Sequence, residues 1–166
     1  MKFVVTGGAG FIGNNIAKML VKKGHNVIIL DNFNTGRKEN LEEIKDKVEL
    51  YTVDIRDKET IDEIINNSDG IFHQAALANV YESFSKSKEY FDVNVRGTKN
   101  IFEIAKKNEI KVVFASSSSV YGEVETMPIM ENIKRKPIHP YGQTKLECEF
   151  LAEKFSKEGL KVIGLR

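Results

Sequence analysis

A tyrosine and a lysine in the run Tyr141-Gly142-Gln143-Thr144-Lys145 are the first candidates for chemistry in this sequence. In a helix, positions i and i+4 lie on one face, so the phenol and the ammonium group would be neighbours. A tyrosine with the usual pKa of about 10 is a poor base at neutral pH, but nearby positive charge favours its phenolate. The pair could therefore supply a general base. Such a pair also arises by chance, so its position in the fold must show whether it is functional.

The elements around this pair predict where it lies. A helix predicted from 141 to 157 begins with it, directly after a strand predicted from 111 to 115 and a long loop. The strand delivers four serines, Ser116 to Ser119, and the loop from Glu123 to Pro140 contains all three prolines. A loop of this length in a small domain is usually functional.

Three glycines near the start of the chain predict a phosphate-binding turn. Gly7, Gly10 and Gly13 follow a short apolar strand, 3–6, and open an amphipathic helix, 11–23. Gly7 suits the turn, Gly10 lacks a Cβ that would keep a pyrophosphate away, and Gly13 permits close packing of the helix on the strand. The phosphates would bind the free N–H groups at the helix N-terminus.

An acidic residue follows at the spacing that a dinucleotide site requires. The apolar run 26–30 ends at Asp31, eighteen residues after Gly13, where such folds place an acid on the adenosine ribose. The alternative is an ordinary βαβ unit in which Asp31 caps a helix. Its charge would repel a 2′-phosphate, which favours NAD over NADP, although Arg37 could attract that phosphate.

The remaining pattern predicts an α/β fold. Further strands are expected at 48–53, 70–74 and 161–165, and helices at 38–47, from Asp57 as cap to about Asn67, and at 80–107. Alternating strands and helices indicate a Rossmann-type, doubly wound parallel sheet of order 3-2-1-4-5-6. Ligands bind such sheets beyond the carboxyl ends of the strands, near the switch between strands 1 and 4. Those ends carry Gly7, Asp31, Asp54, Gln74 and the serines.

Composition limits the functional classes. The 166 residues suit one domain, 1–166, and a net charge of +1 from 25 basic and 24 acidic residues predicts neither a nucleic-acid nor a membrane partner. Cys148 is alone, which favours a reducing compartment. No apolar run approaches a membrane span, a chain starting directly on a strand leaves no room for a signal peptide, and no metal site is supported. We therefore expect a cytoplasmic protein.

As an ordered set, the motifs resemble those of the extended short-chain dehydrogenase/reductases. Within that family they are most similar to the NAD-dependent sugar-nucleotide epimerases and dehydratases of the UDP-glucose 4-epimerase type. The resemblance spans the chain and rests on the motifs Thr6 to Gly13, Asp31-Asn32, Asp54 to Asp57, His73 to Ala76, Asn94 to Thr98, Ser116 to Gly122, and Tyr141 to Lys145.

The resemblance implies a role for each matching residue. Tyr141 would be the catalytic base, Lys145 would lower its pKa and hold the nicotinamide ribose, and Ser117 would hydrogen-bond the reacting hydroxyl, with Ser118 as the alternative. The NAD-binding residues would be Gly7, Gly10, Phe11, Ile12, Gly13, Asp31, Asn32, Asn34, Thr35, Gly36, Asp54, Ile55, Ala75, Ala76, Leu77, Asn94, Tyr141 and Lys145. His73 matches a position inside the fold, so we expect a core histidine.

The implied reaction is epimerisation of a UDP-hexose, of the UDP-glucose/UDP-galactose type, at C4 through a 4-keto intermediate. The alternatives are a nucleotide-sugar 4,6-dehydratase, a UDP-glucuronate or UDP-N-acetylglucosamine 4-epimerase, and a dinucleotide-binding sensor without turnover. Ser118 and Ser119 stand where dehydratases carry acids, which favours the epimerase. The family continues beyond Arg166 into a smaller substrate-binding domain absent from this chain, so we expect residues 1–166 to be the N-terminal part of a longer, homodimeric protein.

Overall fold

A six-stranded parallel sheet of order β3-β2-β1-β4-β5-β6 organises the chain, which confirms the predicted topology. The structure is a computed structural model that describes residues 1–125 and 127–166; Thr126, within the predicted loop 123–140, lies outside the described residues. The strands are β1 (Lys2–Thr6), β2 (Asn26–Asp31), β3 (Val48–Thr52), β4 (Gly70–His73), β5 (Lys111–Ala115) and β6 (Val162–Leu165). The α-helices are α1 (Phe11–Lys22), α2 (Lys58–Ile65), α3 (Val80–Ser85), α4 (Ser87–Tyr90), α5 (Gly97–Lys107) and α6 (Pro140–Lys157).

Apolar side chains cover both faces of the sheet, because successive strand residues point to opposite sides. Val4 and Ile28 pack into the larger cluster with residues of α2, α5 and α6. Their neighbours Val5 and Ile29 pack into the second cluster, with residues of α1. The near-continuous apolar central strands are therefore explained by burial on two faces, as is usual for parallel sheets.

The prediction of a charged helix at 38–47 is wrong. Two short 3₁₀ segments occupy it, Lys38–Leu41 and Lys45–Lys47. Only Leu41 and Ile44 are buried there, which is less than the apolar stripe that packs a ten-residue α-helix onto a core.

The single helix expected at 80–107 is also wrong in detail. It is divided into α3, α4, a π-helical segment from Phe91 to Arg96, and α5. Phe84 in α3 is 61% exposed, whereas Asn94 in the π-helical segment is buried. A Cβ on Gly97 would lie 2.5 Å from Ile55 Cδ1, so this glycine lets α5 begin directly against the segment after β3.

A buried histidine connects β1 and β4 with α5. His73 Nδ1 lies 2.6 Å from Thr6 Oγ1, and Nε2 lies 2.9 Å from Thr98 Oγ1. Thr6 Oγ1 also accepts the Ala75 N–H at 3.2 Å, so the group reaches the residues after β4. Burial, with a smaller effect of the Lys145 charge, lowers the pKa of His73 to about 3. The imidazole is therefore neutral in the folded protein.

Acid should destabilise the fold through His73. Because the folded pKa of about 3 lies below the ordinary 6.5, the unfolded chain binds the proton first, and stability is lost as pH falls from 6.5 towards 3. The loss can reach about 1.4 kcal/mol of unfolding free energy per pH unit. We expect His73→Gln to flatten this dependence in urea unfolding at pH 4 to 7. His25→Gln, at a partly buried site, is the control, and an unchanged slope for His73→Gln would contradict the prediction.

Candidate active site

A cleft of about 450 Å³ lies beyond the carboxyl ends of β1 to β5. The predicted site residues that line it are Gly7, Gly10, Phe11, Ile12, Gly13, Asp31, Asn32, Asn34, Thr35, Gly36, Asp54, Ile55, Ala75, Ala76, Leu77, Tyr141 and Lys145. Asn94 and Ser117 do not line it. The sheet topology thus brings residues from distant parts of the chain to the switch between β1 and β4.

The glycine turn is built by backbone packed on backbone. Gly7 adopts φ +66°, and a Cβ there would lie 2.7 Å from the Ala75 nitrogen. A Cβ on Gly13 would collide with the Gly7 carbonyl, so α1 packs on the turn itself. On Gly10, a Cβ would contact only the Gly7 carbonyl oxygen at 3.2 Å, which leaves this backbone accessible from the cleft.

The N-terminus of α1 opens into the cleft without a side-chain cap. Gly10 is the N-cap residue, and the first turn carries no acid. By contrast, the Asp57 side chain caps α2 by accepting the Thr60 N–H, as the sequence predicts. The first N–H groups of a helix have no intrahelical acceptor and carry partial positive charge. The start of α1 is therefore suited to bind an anion such as a phosphate.

Asp31 holds the glycine turn and the loop after β2. Its Oδ2 accepts the Ala9 N–H at 2.9 Å and its Oδ1 accepts the Phe33 N–H at 2.8 Å. The alternative of a helix cap is not observed, because these bonds go to a turn and a loop. A carboxylate offers about four lone-pair positions, so Asp31 can accept further hydroxyl groups at the cleft.

Asp54 forms an ion pair that sequence analysis missed. Arg56 Nε and Nη2 donate to the two Asp54 oxygens at 2.9 Å each, and Arg56 Nη1 donates to Asp92 at 2.8 Å. The hydrogen bond from Arg56 is the main reason that the pKa of Asp54 falls to about 2. The two side chains meet across a turn, in which the Arg56 N–H also donates to Asp54 Oδ1 at 2.9 Å.

Tyr141 and Lys145 line the same cleft from the first two turns of α6. The Lys145 Nζ lies 5.9 Å from the centre of the Tyr141 ring and donates to the Ala115 carbonyl at 2.9 Å. His139, to which the sequence assigned no role, caps α6 by accepting the Gly142 N–H at 3.0 Å, and its ring stacks on Tyr141. This cap fixes the start of the helix beside the phenol.

The net effect of the chain's own contacts is to raise the pKa of Tyr141. Burial raises the pKa of the phenol, and hydrogen bonding with Ser117 opposes that rise. Burial also lowers the pKa of the Lys145 ammonium group. The expected lowering by Lys145 is absent among the described contacts, since its Nζ is directed to Ala115. Any phenolate must be favoured by charge that the chain does not provide.

Asn94 and Ser117 are the two predicted site residues that do not line the cleft. Asn94 donates to the Leu77 carbonyl at 2.9 Å and to Thr144 Oγ1 at 3.0 Å, and it accepts the Leu77 N–H at 2.8 Å. It therefore connects a cleft residue with α6. Ser117 Oγ accepts the Ser119 N–H at 3.1 Å and caps the 3₁₀ turn Ser118–Val120. Lining residues outside the predicted set are Leu30, Val53, Arg56, Gln74, Ala78, Glu89, Val93, Ala115 and Ser116.

Two negative findings hold for residues 1–125 and 127–166. No group of three or more His, Cys, Asp or Glu side chains is arranged to hold a metal ion. No helix in this part of the chain has the length and apolar composition to cross a bilayer.

The sheet order, the glycine turn and the cleft at the switch point define a Rossmann-type α/β protein. Residues 4–164 match the family model described as GDP-mannose 4,6 dehydratase. The chain therefore belongs to this family of NAD-dependent epimerases and dehydratases of the short-chain dehydrogenase/reductase type.

Relatives and solved structures agree with this assignment. The chain is 39% identical to the bifunctional UDP-glucose 4-epimerase and UDP-xylose 4-epimerase 1 of Pisum sativum, over 94% of this chain and 48% of the relative. A Thermotoga maritima UDP-glucose 4-epimerase with UDP-glucose superposes with a TM-score of 0.95 at 34% identity, over 100% and 55% of the two chains. A Thermus thermophilus UDP-glucose 4-epimerase in complex with NAD superposes with a TM-score of 0.93 at 35% identity, over 100% of this chain and 54% of the other. The chain thus spans about half the length of these proteins.

Arg56 should control the acidity of Asp54. We expect Arg56→Gln to raise the pKa of Asp54 from about 2 towards the ordinary 3.8, because the charged hydrogen bonds are lost. Carboxyl carbon NMR titration measures the change. Arg96→Gln is the control, since it removes only an exposed partner of Asp92. An Asp54 pKa that stays near 2 in Arg56→Gln would contradict the assignment.

Proposed function

We propose that this chain is the NAD-binding domain of an enzyme that epimerises a nucleotide sugar, of the UDP-hexose class, at C4. The observation that carries the proposal is the position of Tyr141 and Lys145. Both line the same cleft as the glycine turn. A residue suited to act as a general base thus lies beside a cleft suited to a dinucleotide, and this arrangement supports reversible oxidation of a sugar hydroxyl.

The cleft fits NAD in chemical terms. The uncapped start of α1 offers N–H groups to the pyrophosphate, and the open Gly10 backbone lets it approach. Asp31 offers a carboxylate to ribose hydroxyls, and Asn32 donates to Asp54 Oδ2 at 3.0 Å, which helps to orient the second carboxylate at the proposed adenosine end. Bound NAD would supply the acceptor and donor of the C4 hydride, together with a positive charge.

The residues of the chain would move the proton and orient the sugar. The Tyr141 phenolate would take the proton of the C4 hydroxyl and later return it, while Ser117 would hydrogen-bond the same oxygen. Because burial raises the pKa of Tyr141 and the Lys145 Nζ is directed to Ala115, the positive charge of the oxidised cofactor would have to favour the phenolate. A 4-keto sugar would form, and its reduction on the other face would give the C4 epimer.

Serines after Ser117 favour the epimerase over a dehydratase. Elimination of water needs an additional acid and an additional base. Ser118 and Ser119 have no carboxyl group that could serve as either. Product analysis of the complete gene product tests this choice. Interconversion of UDP-glucose and UDP-galactose supports the proposal, whereas accumulation of a 4-keto-6-deoxy sugar would show a dehydratase. Activity on a glucuronate, xylose or N-acetylglucosamine substrate alone would reassign the sugar.

The partner and the location are also proposals. A homodimer, as the resemblance implies, is supported by aromatic side chains on α3, since Tyr81 is 89% exposed and Phe84 61%. A cytoplasmic location is supported by Cys148, a buried free thiol.

Tyr141→Phe should separate binding from turnover. The substitution keeps the ring that lines the cleft and removes the proton acceptor, so NAD affinity by calorimetry should be unchanged. Turnover should fall by at least about 100-fold, the usual contribution of a general base. Tyr51→Phe, at the exposed β3 edge, is the matched control. Wild-type-like turnover in Tyr141→Phe would remove this residue from the mechanism.

Asp31 should make the site prefer NAD to NADP. A 2′-phosphate would meet a carboxylate that already has the Ala9 and Phe33 N–H groups as donors and no cation among its hydrogen-bond partners. We expect Asp31→Asn to narrow the ratio of the two affinities, measured by calorimetry. Asp46→Asn makes the same change in charge at an exposed position outside the cleft and serves as control. Equal affinity of the wild type for both cofactors would refute the role of Asp31.

A further inference from the structure

A buried carboxylate lies on the same face of α6 as the Tyr–Lys pair. Tyr141, Lys145 and Glu149 are spaced at i, i+4 and i+8, so they follow one another along this face. The Glu149 side chain is 8% exposed and does not line the cleft. Such a carboxylate is costly to bury unless it is fully paired, so its partners show what it holds together.

Glu149 receives four hydrogen bonds from three parts of the chain. Arg166 donates from Nε and Nη2 at 2.8 and 2.9 Å, and Arg135 Nη1 donates at 2.7 Å. The fourth donor is Ser116 Oγ at 2.5 Å. The arginine bonds lead away from the cleft to β6 and to the loop before α6. The serine bond leads to the cleft, because Ser116 is the first residue after β5 and lines it.

Two side chains of α6 therefore hold two consecutive residues at the end of β5. Lys145 Nζ donates to the Ala115 carbonyl at 2.9 Å, and one helical turn later Glu149 accepts from Ser116. The next residue is Ser117, which hydrogen-bonds the reacting hydroxyl in the proposed reaction. Ser117 and Tyr141 belong to different elements, so these contacts between α6 and β5 fix their separation.

We propose that Glu149 is a positioning residue that, through Ser116, sets the distance between the Ser117 hydroxyl and the Tyr141 phenol. The inference rests on the proposed function and adds a residue to its machinery. A displacement of about 1 Å at a reacting group can reduce turnover about 100-fold, so one buried hydrogen bond behind the site can control the rate.

Ser116→Ala tests the contact that reaches the cleft and leaves the pairs between Glu149 and the arginines intact. In the complete gene product, we expect kcat to fall about 10-fold to 100-fold. KM for UDP-glucose, the affinity for NAD and the thermal midpoint should stay near the wild-type values. Ser116→Thr keeps the hydroxyl and should restore most of kcat.

Glu153→Gln is the matched control. Glu153 lies one turn after Glu149, pairs with the same Arg135 at 2.9 Å, and is 53% exposed. Its loss should change neither kcat nor KM. A kcat of Ser116→Ala within twofold of wild type would overturn the proposal. So would a parallel loss of NAD affinity, because Ser116 would then act by direct contact with the cofactor.

A second readout needs no turnover. Ser117 lowers the pKa of the Tyr141 phenol, so moving Ser117 away should raise that pKa. Titration of ¹³C-tyrosine-labelled protein by NMR should show this rise in Ser116→Ala but not in Glu153→Gln. An unchanged Tyr141 pKa would overturn the positioning role. Wild-type protein that binds NAD but epimerises no sugar would instead defeat the proposed function, and the titration would still decide the role of Glu149.

Discussion

Close packing of backbone on backbone at the end of β1 is the constraint on which the site depends. Gly7 approaches the Ala75 backbone so closely that no side chain fits between them, and Gly13 meets Gly7 in the same way. These approaches bring the start of α1 and the end of β4 together at the switch point. The free N–H groups of α1 and the small residues after β4 then border one cleft, which the strand order alone would not ensure.

Side-chain hydrogen bonds connect α6 to this sheet at two levels. Asn94 connects Leu77, after β4, with Thr144 on α6, while Lys145 connects α6 with Ala115 at the end of β5. All these groups are buried or nearly so, and a hydrogen bond in such a place is costly to leave unpaired. The position of Tyr141 therefore follows from polar contacts as much as from apolar packing. The hydrogen bond to the Ala115 carbonyl also offsets the cost of burying the Lys145 ammonium group, which explains why this group is not directed at the phenol.

The fold could be predicted because its signals are local and the rules of parallel sheets are strict. β5 was placed at its observed bounds, and β1 to β4 were placed to within one residue at each end. The π-helical segment within 80–107 was not predicted, because its buried Asn94 bonds to Leu77 and Thr144, which lie outside that stretch. No pattern within residues 80–107 carries that information. The pairing of Arg56 with Asp92 was missed for the same reason, since 36 residues separate them.

In the candidate site, residue types and their spacing predict which residues are present, whereas only the packed structure shows which hydrogen bonds they form. Glycines and acids at strand ends were found because the chemistry of a dinucleotide requires those types there. The hydrogen-bond partners of these acids could not be predicted, although they determine the local charge. Asp31 accepts hydrogen bonds from neutral N–H groups, whereas Asp54 accepts them from a guanidinium group. Two acids on neighbouring strands thus present different charge to the cleft, because a paired arginine neutralises Asp54 and leaves Asp31 as the stronger negative centre. That asymmetry would concentrate the repulsion of a bound phosphate near Asp31 rather than spread it along the cleft.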